Sequence, residues 1–209
     1  MLILYVETNF LMSIAKGQDL EAQKLLLNPL TSLRIAIPDI CYVEAINTYK
    51  IVQKNRLQFQ ADMDKQINES MRDQTSVHAK TFLGHLQQAA IENTSLLNDI
   101  QNRLYETINL LLTNAELINL DRTVIQEISN QSLIEIETAL IKNDIIDNLI
   151  LQCILAHANL HPAEKKVFLS GNNNDFGKPE VQEALRKAGI NKYFASTKNF
   201  IGWLNSQQI

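Results

Sequence analysis

Leu2-Ile3-Leu4-Tyr5-Val6-Glu7-Thr8-Asn9 is the stretch on which the reading of this chain turns. Its first five residues are apolar without alternation, as a strand covered on both faces of a parallel sheet requires, and the run is too short for a buried helix. With Leu2–Val6 as a strand, Glu7 falls at its carboxyl edge, where open α/β sheets place their ligands. A plainer reading also exists: Glu7-Thr8-Asn9 as a polar stop, with Thr8 or Asn9 capping a helix that starts at Phe10-Leu11. Residues farther along the chain decide between the two.

The chain has 209 residues, 45% of them hydrophobic, enough to bury a substantial core. A net charge of −4 argues against a binder that holds nucleic acid by electrostatics alone, so any such contact must come from a local patch or from bound metal. Cys41 and Cys153 each lie inside an apolar helical pattern and read as buried thiols in a reducing compartment. The amino terminus enters a strand pattern with no basic leader, and no apolar run reaches the length of a membrane span, so the expectation is a soluble, cytoplasmic protein with no membrane partner.

Punctuation divides the sequence. Between Asp39 and His161 there is no proline and only Gly84, which predicts helices joined by short polar turns; both ends carry the strand and turn signals of an α/β fold. A helix is expected to follow Asn9, over 10–16, closed by Gly17, and a second over 20–27, capped by Asp19. Arg34-Ile35-Ala36-Ile37 reads as the next strand, ended by Pro38, with Asp39 placed to cap the following helix. Glu44 lies about one turn inside that helix. From 48 to 115 the helical signal continues, with Phe59, Met63, Ile67 and Met71 at fourfold spacing and Leu97, Ile100, Leu104, Ile108 and Leu111 at mixed three and four. These stripes fit two or three antiparallel helices packed on one another. His78 and His85 there read as surface imidazoles.

The helix beginning near Asn143 is the most informative. It has an almost wholly apolar body and two aspartates only at its amino end, Asp144 and Asp147, three apart and so on one face. Asp144 fits an N-cap and Asp147 a third helical position favoured by the dipole; alternatively Asp147 projects into an acidic site. After the strand Val167-Phe168-Leu169-Ser170 comes Gly171-Asn172-Asn173-Asn174-Asp175-Phe176. Asn172 and Asn174 read as ordinary turn residues, and Asp175 is once more an acid beside a strand's carboxyl edge. A helix over 179–188, a strand over 192–195 and a final short helix complete the pattern.

Taken in order, Val6-Glu7-Thr8-Asn9, Glu44, Asp147-Asn148-Leu149-Ile150 with His157 ten residues on, and Leu169-Ser170-Gly171-Asn172-Asn173-Asn174-Asp175-Phe176 make a chain that resembles the PIN-domain nucleases. That family includes the ribonuclease toxins of bacterial toxin–antitoxin pairs. The resemblance covers about residues 1–48 and 116–205. It implies a three-layer α/β/α fold with a central parallel sheet, formed as a single PIN-like domain over 1–209 with a helical insertion over about 48–115. It also implies an acidic cluster of Glu7, Glu44, Asp147 and Asp175 that is both catalytic and metal-binding. Asn9, Asp144 and Asn173 are its auxiliary residues: Asn9 to steady the first acid, Asp144 as cap or further ligand, and Asn173 where some members carry another acid. RNA is the implied substrate. An antitoxin protein and a second copy of the chain are the implied partners, and the helical insertion reads as a dimerisation or a substrate-positioning arm. Two features depart from the pattern: the first acid is usually aspartate, and the insertion is longer than in compact members.

The chemistry of four convergent acids can be stated without the family. Carboxylates in one cleft raise each other's pKa values unless a cation bridges them, and phosphodiester hydrolysis needs an activated water and neutralised charge, which hard divalent cations on oxygen ligands supply. Mg²⁺ or Mn²⁺ is therefore the expected cofactor of an endoribonuclease. Two other readings stand beside it. One is a catalytically inert PIN-like binding or scaffold module, for which Glu7 in place of aspartate is the argument; the other is a phosphoacceptor receiver domain, which lacks here its adjacent acid pair after the first strand and its late lysine.

Overall fold

The structure, a computed structural model, describes residues 1–133, 139–141 and 144–207. Asn143, proposed above as the start of a helix, lies outside the described residues. Five parallel strands form one sheet: β1 (Leu2–Val6), β2 (Leu33–Pro38), β3 (Glu116–Ile118), β4 (Lys165–Leu169) and β5 (Ile190–Phe194), in the order β3-β2-β1-β4-β5. Around them lie α1 (Thr8–Ala15), α2 (Leu20–Leu27), α3 (Ile40–Arg72), α4 (Val77–Asn114), α5 (Arg122–Leu133), α6 (Ile145–Leu160), α7 (Pro179–Lys187) and α8 (Thr197–Ser206). This is the three-layer α/β/α arrangement expected. All five residues of β1 are buried, which is why the run shows no alternation.

The strand order carries the functional consequence. From β1 the chain builds outward through β2 and β3, then returns to the other side of β1 to add β4 and β5. The order therefore reverses between β1 and β4, and the crevice at their carboxyl ends is the switch point where such sheets bind ligands. Register places Val6 opposite Leu169, so the residues that follow each strand emerge side by side.

Helix termini were only partly foreseen. Asp19 and Asp144 cap α2 and α6 through their side chains. Asp39 makes no side-chain cap on α3; its Oδ2 accepts instead from the Leu120 N–H at 3.2 Å, tying β2 to the segment that follows β3. Gly17, with φ +67°, closes α1, and the carbonyl of the buried Ala15 there accepts from Arg103 Nε of α4 at 2.9 Å. Cys41 and Cys153 are buried free thiols.

The long helices α3 and α4 form an antiparallel hairpin whose 33 and 38 residues span about 50 Å and 57 Å. Its seam on α4 holds the expected Leu97, Ile100, Leu104 and Leu111 in the core, and on α3 it holds Met63. Phe59 and Met71 are each 53% exposed, contrary to the expected packing stripe. A step of four residues overshoots a helical turn and drifts by roughly 40° each time, so Phe59 and Met71 rotate off opposite sides of a seam centred near Met63. Midway along the hairpin the buried Asn93 accepts from Arg56 Nη1 at 3.0 Å and donates to the Arg56 carbonyl and to Gln60 Oε1, both at 3.2 Å. A satisfied polar group in such a seam favours one register.

Candidate active site

Each candidate acid is delivered to the switch point by a different element. Glu7 follows β1 and is 2% exposed; its Oε2 accepts the Asn9 N–H at 2.7 Å, so it is also the N-cap of α1. The plain capping reading and the site reading thus both hold for Glu7, with Glu7 itself as the cap in place of Thr8 or Asn9. Its other oxygen, Oε1, is buried without a hydrogen-bond partner. Glu44 lies in the first turns of α3, half-buried, and its Oε2 accepts the Thr8 hydroxyl. Helix α6 leads into a parallel strand and so runs back from the carboxyl edge, which puts Asp144 and Asp147 at that edge. Asp144 is exposed, and its Oδ1 accepts the N–H groups of Ile146 and Asp147 at 2.9 and 3.1 Å, whereas Asp147 itself is 7% exposed. Asp175 comes from the loop after β4.

Two expected auxiliaries act otherwise than expected. Asn9 steadies Glu7 through its backbone N–H, while the residue lines a neighbouring cleft with Ser170, Gly171 and Thr197. Asn173 is exposed, and its Oδ1 accepts the Tyr193 hydroxyl at 2.8 Å. The residue that does bridge the acids is Asn172, read from sequence as a turn residue: its Nδ2 donates to Asp147 Oδ2 at 2.8 Å and to Asp175 Oδ2 at 3.1 Å. Lys178 also went unmarked, and its ammonium pairs with Asp175 Oδ1 at 2.9 Å. Thr8 and Ser170 complete the polar lining, on Glu44 and Glu7 respectively.

Electrostatics divides the four acids. Burial pushes Glu7 up to about 8, with Asp147 and Glu44 adding repulsion, against the Asn9 hydrogen bond and the nearby Ser170 hydroxyl. Burial likewise raises Asp147 to about 7, helped by Asp144, Glu44 and Asp175. Glu44 is raised by burial, although the Thr8 hydroxyl opposes it. Asp175 is lowered because Lys178 stabilises its anion. The acids therefore feel one another across the crevice. Among the described residues, however, no three of them bring an oxygen each within 4.8 Å of one another; the amide of Asn172 stands between Asp147 and Asp175.

The donor set suits a hard cation. It offers carboxylate oxygens from Glu7, Glu44, Asp147 and Asp175, hydroxyl and amide dipoles behind them, and in Glu7 Oε1 a buried carboxyl oxygen without a hydrogen-bond partner, whose proton a cation would displace. No described helix is long and apolar enough to cross a membrane. No curated protein and no solved structure matches the chain. A family model described as the PIN domain matches residues 4–176, a span that includes Glu7, Glu44, Asp147 and Asp175 together with the whole of the α3–α4 hairpin. The chain belongs to the PIN-domain family, whose members are generally nucleases.

Proposed function

We propose that the protein is a metal-dependent endoribonuclease, with Glu7, Glu44, Asp147 and Asp175 holding Mg²⁺ or Mn²⁺ at the β1/β4 switch point. The observation that carries this reading is the buried, unpartnered Glu7 Oε1 beside Asp147, in a crevice to which four separate elements each bring one acid. A bound divalent ion would supply an activated water and neutralise charge on the leaving oxygen. The chain's own residues prepare the cluster. Asn172 orients Asp147 and Asp175 with one amide, Thr8 fixes Glu44, and Lys178 keeps Asp175 ionised. The cation also reconciles an anionic protein with an anionic substrate, since the net charge of −4 opposes RNA without it. A role as the toxin of a toxin–antitoxin pair, action in the cytoplasm, and a dimer or substrate-positioning role for the α3–α4 hairpin belong to the same proposal.

A specific observation favours the second reading, an inert scaffold. Asn172, Thr8 and Lys178 already satisfy several carboxylate oxygens internally, as a retired site would. The test is Asp147→Asn against wild type on a mixed RNA pool, with Mn²⁺ or EDTA. The nuclease loses cleavage both in EDTA and in the variant, while the metal-free melting temperature holds or rises because one repelling carboxylate has gone. A purely structural aspartate in the first turn would instead lose about 0.3–1 kcal/mol of dipole stabilisation. Wild-type protein that cleaves neither RNA nor DNA supports the scaffold.

A further inference from the structure

At the opposite end of α6 from Asp147 lies a second cluster that the nuclease reading does not use. His157 and His161 are four apart at the end of α6 and present their rings together, with centroids 4.4 Å apart. Glu116, the first residue of β3, turns Oε1 to within 3.3 Å of His157 Nε2. One ligand atom from each of the three lies within 4.8 Å of the others, and all three residues are half-buried.

We propose that Glu116, His157 and His161 form a binding site for a transition-metal ion of the zinc class, separate from the acidic cluster. Two imidazoles and one carboxylate suit Zn²⁺ or Co²⁺, in contrast to the all-oxygen acids that suit Mg²⁺ or Mn²⁺. Ligand atoms of a tetrahedral zinc stand roughly 3.3 Å apart, so small side-chain rotations close the observed arrangement around an ion. The supporting contacts match those that orient metal ligands. Tyr5 Oη lies 3.0 Å from His157 Nδ1, where it can accept the Nδ1 proton in the tautomer that leaves Nε2 free to bind. Arg34 Nε lies 3.1 Å from Glu116 Oε2, a charge contact without hydrogen-bond alignment that draws that oxygen away and leaves Oε1 toward the imidazoles. Glu164 Oε1 lies outside this group, 3.8 Å from His161 Nδ1 and 3.9 Å from Arg34 Nη2, so the fourth position is left to water. The step of ten positions from Asp147 to His157 separates the two sites by about 15 Å along α6. An ion here would staple the return from the α3–α4 hairpin, at β3, to the end of the helix whose other end carries Asp147.

The experiment uses the full chain stripped with EDTA and titrated with Co²⁺, then Zn²⁺, for wild type, His161→Ala, Glu116→Gln and Asp147→Asn. Wild type should develop the intense visible absorption of tetrahedral Co²⁺ at a stoichiometric ratio, lose it to Zn²⁺, and gain roughly 5–10 °C in melting temperature with Zn²⁺ well above its Kd. Asp147→Asn should behave as wild type, and His161→Ala should show neither signal. Should His161→Ala not fold by circular dichroism, Glu116→Gln gives the same reading. No tetrahedral band in wild type overturns the site, as does a band that persists in both ligand variants or one that only Asp147→Asn abolishes. Because the Asp147→Asn variant keeps this site and the ligand variants keep the acidic cluster, failure here and failure of the nuclease reading are distinguishable.

Discussion

The side-chain amide of Asn172 is shared by two acids, Asp147 on α6 and Asp175 in its own loop, at 2.8 and 3.1 Å. It ties the loop after β4 to the amino end of α6 and lowers the pKa of both carboxylates, against the burial that raises Asp147. Asn172→Ala should therefore leave the fold intact and lower Mn²⁺ affinity by about 10–100-fold, the usual cost of losing a residue that orients metal ligands. Cleavage measured across a Mn²⁺ titration should shift to higher metal and recover at saturation. An unshifted titration would show that the amide has no part in placing the acids.

The pH dependence of the metal-free protein follows from the same cluster. Glu7 rises from 4.5 to about 8 on folding and Asp147 from 3.8 to about 7. Between those limits the unfolded chain has released protons that the folded chain still holds, so the free energy of unfolding falls as pH rises. In EDTA the melting temperature should drop from pH 5 to pH 8 through these two groups, and Glu7→Gln should flatten much of that slope. Equal slopes for wild type and Glu7→Gln would mean that Glu7 is not buried as a strained acid.

Of the two glycines in the loop after β4, Gly177 is the one without room for a side chain. A Cβ there would meet the Asn173 carbonyl oxygen at 2.4 Å, and the Gly177 N–H bonds that same oxygen at 3.1 Å. Backbone would have to move, so Gly177→Ala should cost about 1–3 kcal/mol in urea unfolding and weaken cleavage by displacing Asn172 and Asp175. Gly171→Ala, with nothing within 4 Å of its Cβ, is the matched control and should be close to neutral in stability.

What the sequence disclosed and what it hid separate along physical lines. An unbroken apolar run betrayed β1, and short apolar stretches, 35–37 and 167–169, betrayed β2 and β4, because strands buried on both faces leave little room for polar alternation; α6 was visible from its cap and its apolar body. From those elements the positions of Glu7, Asp147 and Asp175 at strand or helix ends followed. Asn172 was not legible, since an asparagine in a turn has the same local grammar whether its amide faces water or two carboxylates. Asp39 is the N-cap of α3 by position, as expected, but its side chain goes elsewhere because Leu120 is brought beside it only by the pairing of β2 with β3. Glu116 and His157 belong together only once α6 is known to run back along the sheet, a long-range consequence that no local spacing encodes.

Glu7 gives the sharpest separation between catalysis and architecture, because one of its oxygens caps α1 and the other has no partner. Glu7→Gln keeps a carbonyl oxygen for the Asn9 N–H and removes the anionic donor from the crevice. The variant should fold, melt at or above the wild-type temperature in EDTA at pH 8, and lose Mn²⁺-dependent cleavage by at least ~100-fold, as expected when a direct ligand is lost rather than the orientation of one. Glu7→Asp keeps the charge and a good N-cap side chain but shortens the reach. It should retain activity, with its Mn²⁺ optimum shifted, because the first acid in this family is usually aspartate. Measuring both variants on the same RNA, beside their melting curves, distinguishes the roles. Full activity in Glu7→Gln would leave Glu7 as the cap of α1 alone, and the metal would then have to be held without the carboxylate at the end of β1.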